Sequence, residues 1–186
     1  MKKNIAVFSS GKGGNFENIC NYFQNDHSVF VALHVTNRLN SVSKMIADKR
    51  KIKNVYVNKE GLEKVSFCEI LQENNIHFIV LAGFLLKLPS HLVCSYDKKI
   101  INLHPSLLPK FGGKGMYGDN VHLKVLDSGE KKTGITIHYV NEEYDSGNII
   151  FQKEIELSNV ETLQTLTEKI REVEYYYLPR IIKKLL

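Results

Sequence analysis

Cysteine is scarce in this sequence, and paired cysteine motifs and long apolar runs are missing. The 186 residues include three cysteines. They are widely spaced and odd in number, and no C-x-x-C pair occurs, which excludes a zinc knuckle and a disulfide framework. We therefore predict no metal site and three buried thiols in a reducing compartment. These thiols are Cys20, Cys68 and Cys94.

No apolar stretch approaches the roughly 18 residues that a membrane-spanning helix needs. The N-terminal apolar run Ile5–Phe8 follows two lysines, as in a signal peptide, but the polar segment SSGKGGN ends it too early. These features predict a cytoplasmic protein without a membrane partner.

Charge of one sign is not concentrated anywhere along the chain. The sequence has 25 Lys and Arg residues against 20 Asp and Glu residues, a formal net charge of +5. Because the basic residues are dispersed, we predict no nucleic-acid partner. The length suits one domain, residues 1–186. The sequence leaves open whether this domain is a monomer or a homodimer.

Short apolar runs alternate with segments of helical periodicity in the first half of the chain. This β-α-β order predicts a parallel sheet with right-handed crossovers, and ligands of such sheets bind at the carboxyl ends of the strands. The predicted strands are 4–9, 29–36, 54–57 and 76–84, and the predicted helices are 15–24, 40–50 and 61–75.

The second half has a different pattern, with a glycine-rich loop at 111–118 and two consecutive strand-like segments that suit an antiparallel pair. Pro179 is expected to kink or interrupt the final helix. The predicted fold class is α/β, a mostly parallel Rossmann-like sheet with helices on both faces and an added antiparallel strand pair. The predicted strands are 98–105, 133–140 and 148–155, and the predicted helices are 120–129 and 160–185.

A glycine-rich turn joins the first predicted strand to the first predicted helix. Gly11 and Gly13 let the backbone approach a ligand, and a helix N-terminus offers free N–H groups to an anion. The P-loop spacing fails because Ala6 holds its first glycine position, and the dinucleotide spacing fails because Phe16 holds its third. We therefore expect this turn to bind the phosphate of a molecule other than a P-loop nucleotide or a dinucleotide. The alternative is a tight turn that binds no ligand.

A second polar cluster lies at the end of the strand at 98–105. Asn102 and His104 are two residues apart, so an extended backbone places them on one side, and Pro105 stiffens the exit. An imidazole can move a proton near neutral pH, and a carboxamide can donate to a developing oxyanion. The pair suits transfer of an acyl-type group to an amine. In the segment NEEYDSG, Asp145 is the carboxylate best placed to orient the imidazole and raise its pKa.

Four segments in order, SSGKGGN, LAGFLLKL, INLHPSLLPKF and HYVNEEYDSGNII, carry a resemblance over nearly the whole chain. With them the sequence resembles the folate-dependent formyltransferases. The resemblance implies that the co-substrate 10-formyltetrahydrofolate gives its formyl group to the amine of glycinamide ribonucleotide, a step of purine biosynthesis. It also implies that a protonated His104, held by Asp145, acts with Asn102 to stabilise the oxygen of the tetrahedral intermediate.

The resemblance implies two binding sites and one departure. Glycine replaces the usual serine of the family at position 14, which removes a hydroxyl contact to phosphate. The ribonucleotide is expected at Gly11, Gly13, Gly14, Asn15 and Glu174. The folate is expected at Leu85, Leu86, Lys87, Leu88, Asn102, Asn141, Glu142, Glu143, Tyr144 and Asp145.

Other functions remain alternatives. A sugar-nucleotide formyltransferase or a formyltetrahydrofolate hydrolase would use the same donor. A methionyl-tRNA formyltransferase is disfavoured because it needs an RNA-binding domain after the final helix. A non-catalytic nucleotide-binding module is more distant, since it would leave Asn102 and His104 without a function. A dinucleotide oxidoreductase is disfavoured by Phe16 and by the lack of an acidic residue after the strand at 29–36.

Overall fold

The structure, a computed structural model, describes residues 2–186. Within this range the chain forms seven strands and seven helices. The strands are β1 (Lys3–Phe8), β2 (Val29–Thr36), β3 (Lys53–Tyr56), β4 (Ile76–Leu81), β5 (Ile100–His104), β6 (Lys132–Tyr139) and β7 (Ile149–Glu156). The helices are α1 (Gly14–Tyr22), α2 (Val42–Lys49), α3 (Lys59–Leu62), α4 (Ser66–Glu73), α5 (Ser90–Ser95), α6 (Asp119–Asp127) and α7 (Leu163–Leu185).

One seven-stranded sheet has the order β3-β2-β1-β4-β5-β6-β7. The first five strands pair in parallel, and β6 and β7 are added antiparallel. The predicted fold class is thereby confirmed. The chain winds in opposite directions from β1, first toward β2 and β3 and then back across to β4. This reversal opens a crevice at the carboxyl ends of β1 and β4, where sheets of this type bind ligands.

Apolar side chains on the two faces of the sheet form two separate clusters, because successive residues of a strand point to opposite faces. Val7 and Val80 pack with α1, α6 and α7 on one face. Phe8 and Ile79 pack with α4 and α5 on the other. Helices therefore cover both faces, as predicted, and hold the carboxyl ends of the central strands in fixed positions.

Several local predictions differ from the structure. The segment predicted as one helix at 61–75 forms α3 and α4, and α5 was not predicted at all. Helix α7 begins at Leu163, because the Thr162 hydroxyl caps it by accepting a hydrogen bond from the N–H of Thr165. Cys20 and Cys68 are buried as predicted, but Cys94 is exposed.

Pro179 does not interrupt α7, which continues to Leu185. A proline has no N–H for the carbonyl four residues earlier, which here is that of Tyr175. The side-chain amide of Asn18 in α1 donates to this carbonyl at 2.8 Å and so replaces the missing bond. This hydrogen bond from Asn18 joins α7 to α1 next to the proline. Among residues 2–186, no helix combines the length and apolar character needed to cross a bilayer.

Candidate active site

Asn102 and His104 both approach one oxygen atom of Asp145. The Asn102 amide Nδ2 donates to Oδ1 of Asp145 at 3.2 Å. Nδ1 of His104 lies 3.6 Å from the same oxygen. This agrees with the alternation of side chains along β5, which puts residues 102 and 104 on one side. The three side chains form a single cluster at the carboxyl end of β5.

Asp145 is held by its loop and by the glycine-rich segment. Its side chain is 10% exposed, and its second oxygen, Oδ2, accepts a hydrogen bond from the N–H of Gly113 at 2.8 Å. Its backbone is left-handed, with φ +53°, a conformation that aspartate tolerates better than most residues. Two residues later, a Cβ on Gly147 would overlap the carbonyl oxygen of Tyr139. This close approach explains why glycine follows the aspartate in the Asp-x-Gly motif.

His138 is a member of the cluster that the sequence reasoning missed. It lies directly opposite Asn102 in the pairing of β5 with β6. Its Nδ1 donates to the carbonyl of Tyr139 at 2.8 Å, so its Nε2 accepts from the Asn102 amide at 3.1 Å. Both amide hydrogens of Asn102 are therefore used within the protein. The signal in the sequence was the pair of polar residues, Thr136 and His138, that alternate with the apolar Ile135 and Ile137.

In the unliganded site, burial opposes the charge that the resemblance implies for His104. Burial lowers the pKa of His104 below its usual range, although the Asp145 carboxylate and the Phe111 carbonyl act to raise it. Its side chain is only 3% exposed, and this loss of water outweighs one carboxylate that is not in hydrogen-bond contact. Nε2 of His104 donates to the Phe111 carbonyl at 2.8 Å, which fixes the position of the ring.

The pKa of the Asp145 carboxyl group is also lowered, but for a different reason. Burial alone would raise its pKa, but the His138 and His104 rings and the Gly113 amide together outweigh burial and hold the pKa below the usual range. Asp145 is therefore a carboxylate at neutral pH. The site combines a neutral buried imidazole with a buried negative charge 3.6 Å away, so a proton arriving on the ring is stabilised by that charge.

The glycine-rich turn forms the N-terminus of α1, as predicted. Gly13 is the cap residue, with φ +73°, and no side chain caps the first turn, so N–H groups of this turn are free to bind an anion. The structure places Asn15 beside Glu174 of α7, with Nδ2 donating to Oε2 at 2.7 Å. Oδ1 of Asn15 is buried without a hydrogen-bond partner. Gly11 lies at the open side of the loop.

Glu174 is partly buried, and its carboxyl group is strongly perturbed. Burial raises its pKa to about 7, against the lowering effects of the Asn15 amide and of Arg171. The predicted ribonucleotide residues Gly13, Gly14, Asn15 and Glu174 thus lie together where α1 begins and α7 passes over it.

The segments 85–88 and 141–145 face each other across the crevice. Nζ of Lys87 lies 3.9 Å from Glu143 and 5.8 Å from the ring centre of Tyr144. Leu88 is buried, and Leu85 and Leu86 are half-buried. The Asn141 side chain accepts from the N–H of Glu143 at 3.1 Å and shapes its loop, while Glu142, like Glu143, is exposed.

Ser10 joins the two halves of the crevice and was also missed from the sequence. Its hydroxyl accepts a hydrogen bond from the N–H of Leu85 at 3.1 Å and donates to the side chain of Asn37. Its own N–H donates to the carbonyl of Gly83 at 3.0 Å. The signal was the second serine before the glycine turn, directly after the end of β1. Within residues 2–186, no group of three or more His, Cys, Asp or Glu side chains is placed to hold a metal ion.

Comparison with known proteins identifies the family. Residues 3–182 match the family described as formyl transferase. Phosphoribosylglycinamide formyltransferase of Bacillus subtilis (strain 168) is 36% identical over 203 residues, which cover 100% of this chain and 95% of that protein. The chloroplastic phosphoribosylglycinamide formyltransferase of Arabidopsis thaliana is 38% identical over 189 residues, which cover 94% of this chain.

The chain spans 62% of the length of the Arabidopsis relative and 61% of a second chloroplastic relative, from Vigna unguiculata. Among solved structures, phosphoribosylglycinamide formyltransferase from Bacillus halodurans superposes with a TM-score of 0.90 at 34% identity, covering 99% of this chain and 95% of that one. The family match covers far more than half of the sequence, and the solved relative shares the fold over 95% of its length. The chain belongs to the formyl transferase family.

Proposed function

We propose that this protein transfers the formyl group of 10-formyltetrahydrofolate to the amine of 5′-phosphoribosylglycinamide (glycinamide ribonucleotide). The observation that carries the proposal is the cluster in which Asn102 and His104 meet the carboxylate of Asp145, close to an uncapped helix N-terminus. The names of the Bacillus relatives support the choice of acceptor.

The acceptor site follows from the start of α1. A single phosphate suits the free N–H groups of the first helical turn, which carry the positive end of the helix dipole. The unpaired Oδ1 of Asn15 and the carboxyl group of Glu174 offer further polar contacts to a ribose or an amide. These groups support binding of a phosphorylated amine of the size of glycinamide ribonucleotide.

The donor site follows from the opposite side of the crevice. The folate ring is proposed to lie between segments 85–88 and 141–145, where apolar leucine side chains and backbone polar groups are both within reach. A pterin has a flat apolar face and an edge of donors and acceptors, so this lining matches its chemistry. The formyl group would then lie next to Asn102 and His104.

The transfer replaces one N–H bond by an N–C bond on the acceptor and one N–C bond by an N–H bond on the donor. The acceptor nitrogen forms a bond to the formyl carbon, and the carbonyl electron pair moves onto oxygen. When the carbonyl reforms, the bond between the formyl carbon and the donor nitrogen breaks. The acceptor nitrogen loses one proton and the donor nitrogen gains one, so no oxidant or reductant is consumed.

The proposed roles of the three side chains follow from their protonation states. The neutral ring of His104 accepts the proton released by the amine, and the Asp145 carboxylate stabilises the resulting charge. For Asn102 to donate to the oxyanion, one of its two amide hydrogens must leave its present partner. The bond to the ring nitrogen of His138 is the weaker of the two, because the other partner is a carboxylate. Asn102 therefore exchanges His138 for the substrate oxygen.

Folate absorbance, followed with and without glycinamide ribonucleotide, tests the proposal. Turnover that requires this acceptor is the expected result. Turnover without any acceptor would instead identify a hydrolase, and turnover only with an amino-sugar nucleotide would identify a sugar-nucleotide formyltransferase. The substitution His104→Ala should lower kcat by roughly 10²–10⁴-fold. The exposed His27 provides the matched control, His27→Ala, which should leave kcat unchanged.

A further inference from the structure

The first residue of α1, Gly14, has no room for a side chain because Tyr175 of α7 occupies that space. A Cβ built on Gly14 would overlap the Tyr175 hydroxyl oxygen and would lie 3.3 Å from the ring carbon Cζ that carries it. The backbone of Gly14 is not in the left-handed region. Glycine is therefore required here by the close approach of the tyrosine.

The position of this hydroxyl is set by the packing of α7 against α1. Asn18 donates to the carbonyl of Tyr175 at 2.8 Å, and Asn15 donates to the neighbouring Glu174 at 2.7 Å. The hydroxyl itself has no hydrogen-bond partner within residues 2–186. A half-buried hydroxyl that is fixed by other groups and left unpaired has a free donor to offer a ligand.

This hydroxyl lies against the first turn of α1, where the N–H groups are uncapped. The buried and unpaired Oδ1 of Asn15 lies in the same turn. Burial raises the pKa of Tyr175, with further raising by Glu174 and Glu17 and a lowering effect of Arg171, so the phenol keeps its proton. A neutral phenol at a helix N-terminus can donate to an anion without adding negative charge.

We infer that the Tyr175 hydroxyl donates a hydrogen bond to the phosphate of the acceptor and takes the place of a side-chain hydroxyl at position 14. This inference rests on the proposed function, since it assigns a binding residue to the acceptor site. It also changes the expectation for Gly14→Ser. The lost hydroxyl contact, taken alone, would favour tighter or unchanged ribonucleotide binding in this variant, whereas the packing predicts a clash with Tyr175.

Three variants test the inference: Tyr175→Phe, Gly14→Ser and the two combined. Tyr175→Phe removes one oxygen and should raise both the Kd of glycinamide ribonucleotide, measured by calorimetry, and its KM by about 10-fold, the value of one hydrogen bond to a charged group. The KM of the formyl donor should not change. Gly14→Ser alone should weaken ribonucleotide binding at least as much, because serine and tyrosine compete for one space.

The combined variant gives the sharpest result. Without the phenol oxygen, the serine Cβ would lie 3.3 Å from Cζ, a tight contact that small shifts relieve, and the serine hydroxyl can then bind the phosphate. Ribonucleotide binding should recover to within about 3-fold of the wild type, a difference of less than 1 kcal/mol. The neighbouring Tyr176 is exposed, and Tyr176→Phe is the matched control.

Three separate results would overturn the inference. Wild-type affinity in Tyr175→Phe, or a combined variant that binds no better than Gly14→Ser, would show that the hydroxyl does not contact the phosphate. A wild-type protein that neither binds nor formylates glycinamide ribonucleotide would overturn the proposed function, and the inference with it. Circular dichroism of each variant shows whether a loss of binding comes from a loss of fold.

Discussion

The hydroxyl of Ser10 accepts a hydrogen bond from the backbone N–H of Leu85 at 3.1 Å. Ser10 lies directly before the glycine turn of the proposed acceptor site, and Leu85 begins the proposed folate segment. The N–H of Ser10 also donates to the carbonyl of Gly83. Two binding segments that are 75 residues apart in sequence therefore share one serine. In the proposed function, this contact would help to set the distance between the amine and the formyl group.

The substitution Ser10→Ala should weaken the positioning of both substrates. It leaves the N–H of Leu85 without its partner, at a cost of about 1 kcal/mol. We expect the KM values of both substrates to rise together, by roughly 2- to 10-fold. Steady-state kinetics with each substrate varied in turn provides the measurement. Ser95→Ala, at the exposed end of α5, is the control, and a rise in only one KM would argue against a shared role.

Removal of the Asn102 amide should affect turnover more than binding. Asn102→Ala deprives Asp145 of one hydrogen bond and removes the proposed oxyanion donor. Loss of such a donor typically lowers kcat by about 10²–10³-fold. The exposed Asn159 allows a matched control, Asn159→Ala. An increase in KM with an unchanged kcat would instead assign Asn102 to ground-state binding of the substrate.

Local patterns predicted the sheet and the Asn102–His104 pair well. Strands and helices follow from hydrophobic periodicity, and the spacing of the pair follows from the alternation along one strand. Contacts between distant segments could not be predicted this way. His138 reaches Asn102 through strand pairing, and Tyr175 reaches Gly14 through helix packing. Neither relationship is written in a local pattern.

Two features that local patterns do not show have the same origin. An interruption of the helix at Pro179 was one of two expected outcomes, because the sequence does not reveal that Asn18 satisfies the carbonyl of Tyr175. The sequence indicates a carboxylate near His104 but not how deeply the ring is buried, which lowers its pKa. In both cases a local rule was opposed by a group from another part of the chain.

A side chain at position 147 should destabilise the fold. In Gly147→Ala, the new methyl group would overlap the backbone carbonyl of Tyr139, and a backbone atom cannot move as easily as a side-chain end. We expect the free energy of unfolding to fall by about 1–3 kcal/mol, as measured by urea denaturation. Gly11 faces open space, so Gly11→Ala should leave that free energy nearly unchanged. Equal stabilities of the two variants would contradict the close approach.

The raised pKa of Glu174 should make its contribution to stability depend on pH. In the folded protein the pKa of Glu174 is about 7, whereas its ordinary value is 4.5. Below pH 4.5 Glu174 is protonated in both the folded and the unfolded protein, and its contribution to stability is fully present. As the pH rises from 4.5 through 7, the unfolded state releases its proton first, so the contribution is lost. For a partly buried group, the loss is on the order of 2 kcal/mol.

The substitution Glu174→Gln should remove this loss, because glutamine carries no proton to release and its carbonyl can still accept the bond from Asn15. Other ionisable groups also make stability depend on pH, so the free energy of unfolding of the variant is best compared with that of the wild type at each pH. This difference should increasingly favour the variant from pH 5 to pH 8. Glu172→Gln is the control, because Glu172 is exposed and lies on the same helix. Parallel curves for Glu174→Gln and the wild type would show that the carboxyl group titrates normally.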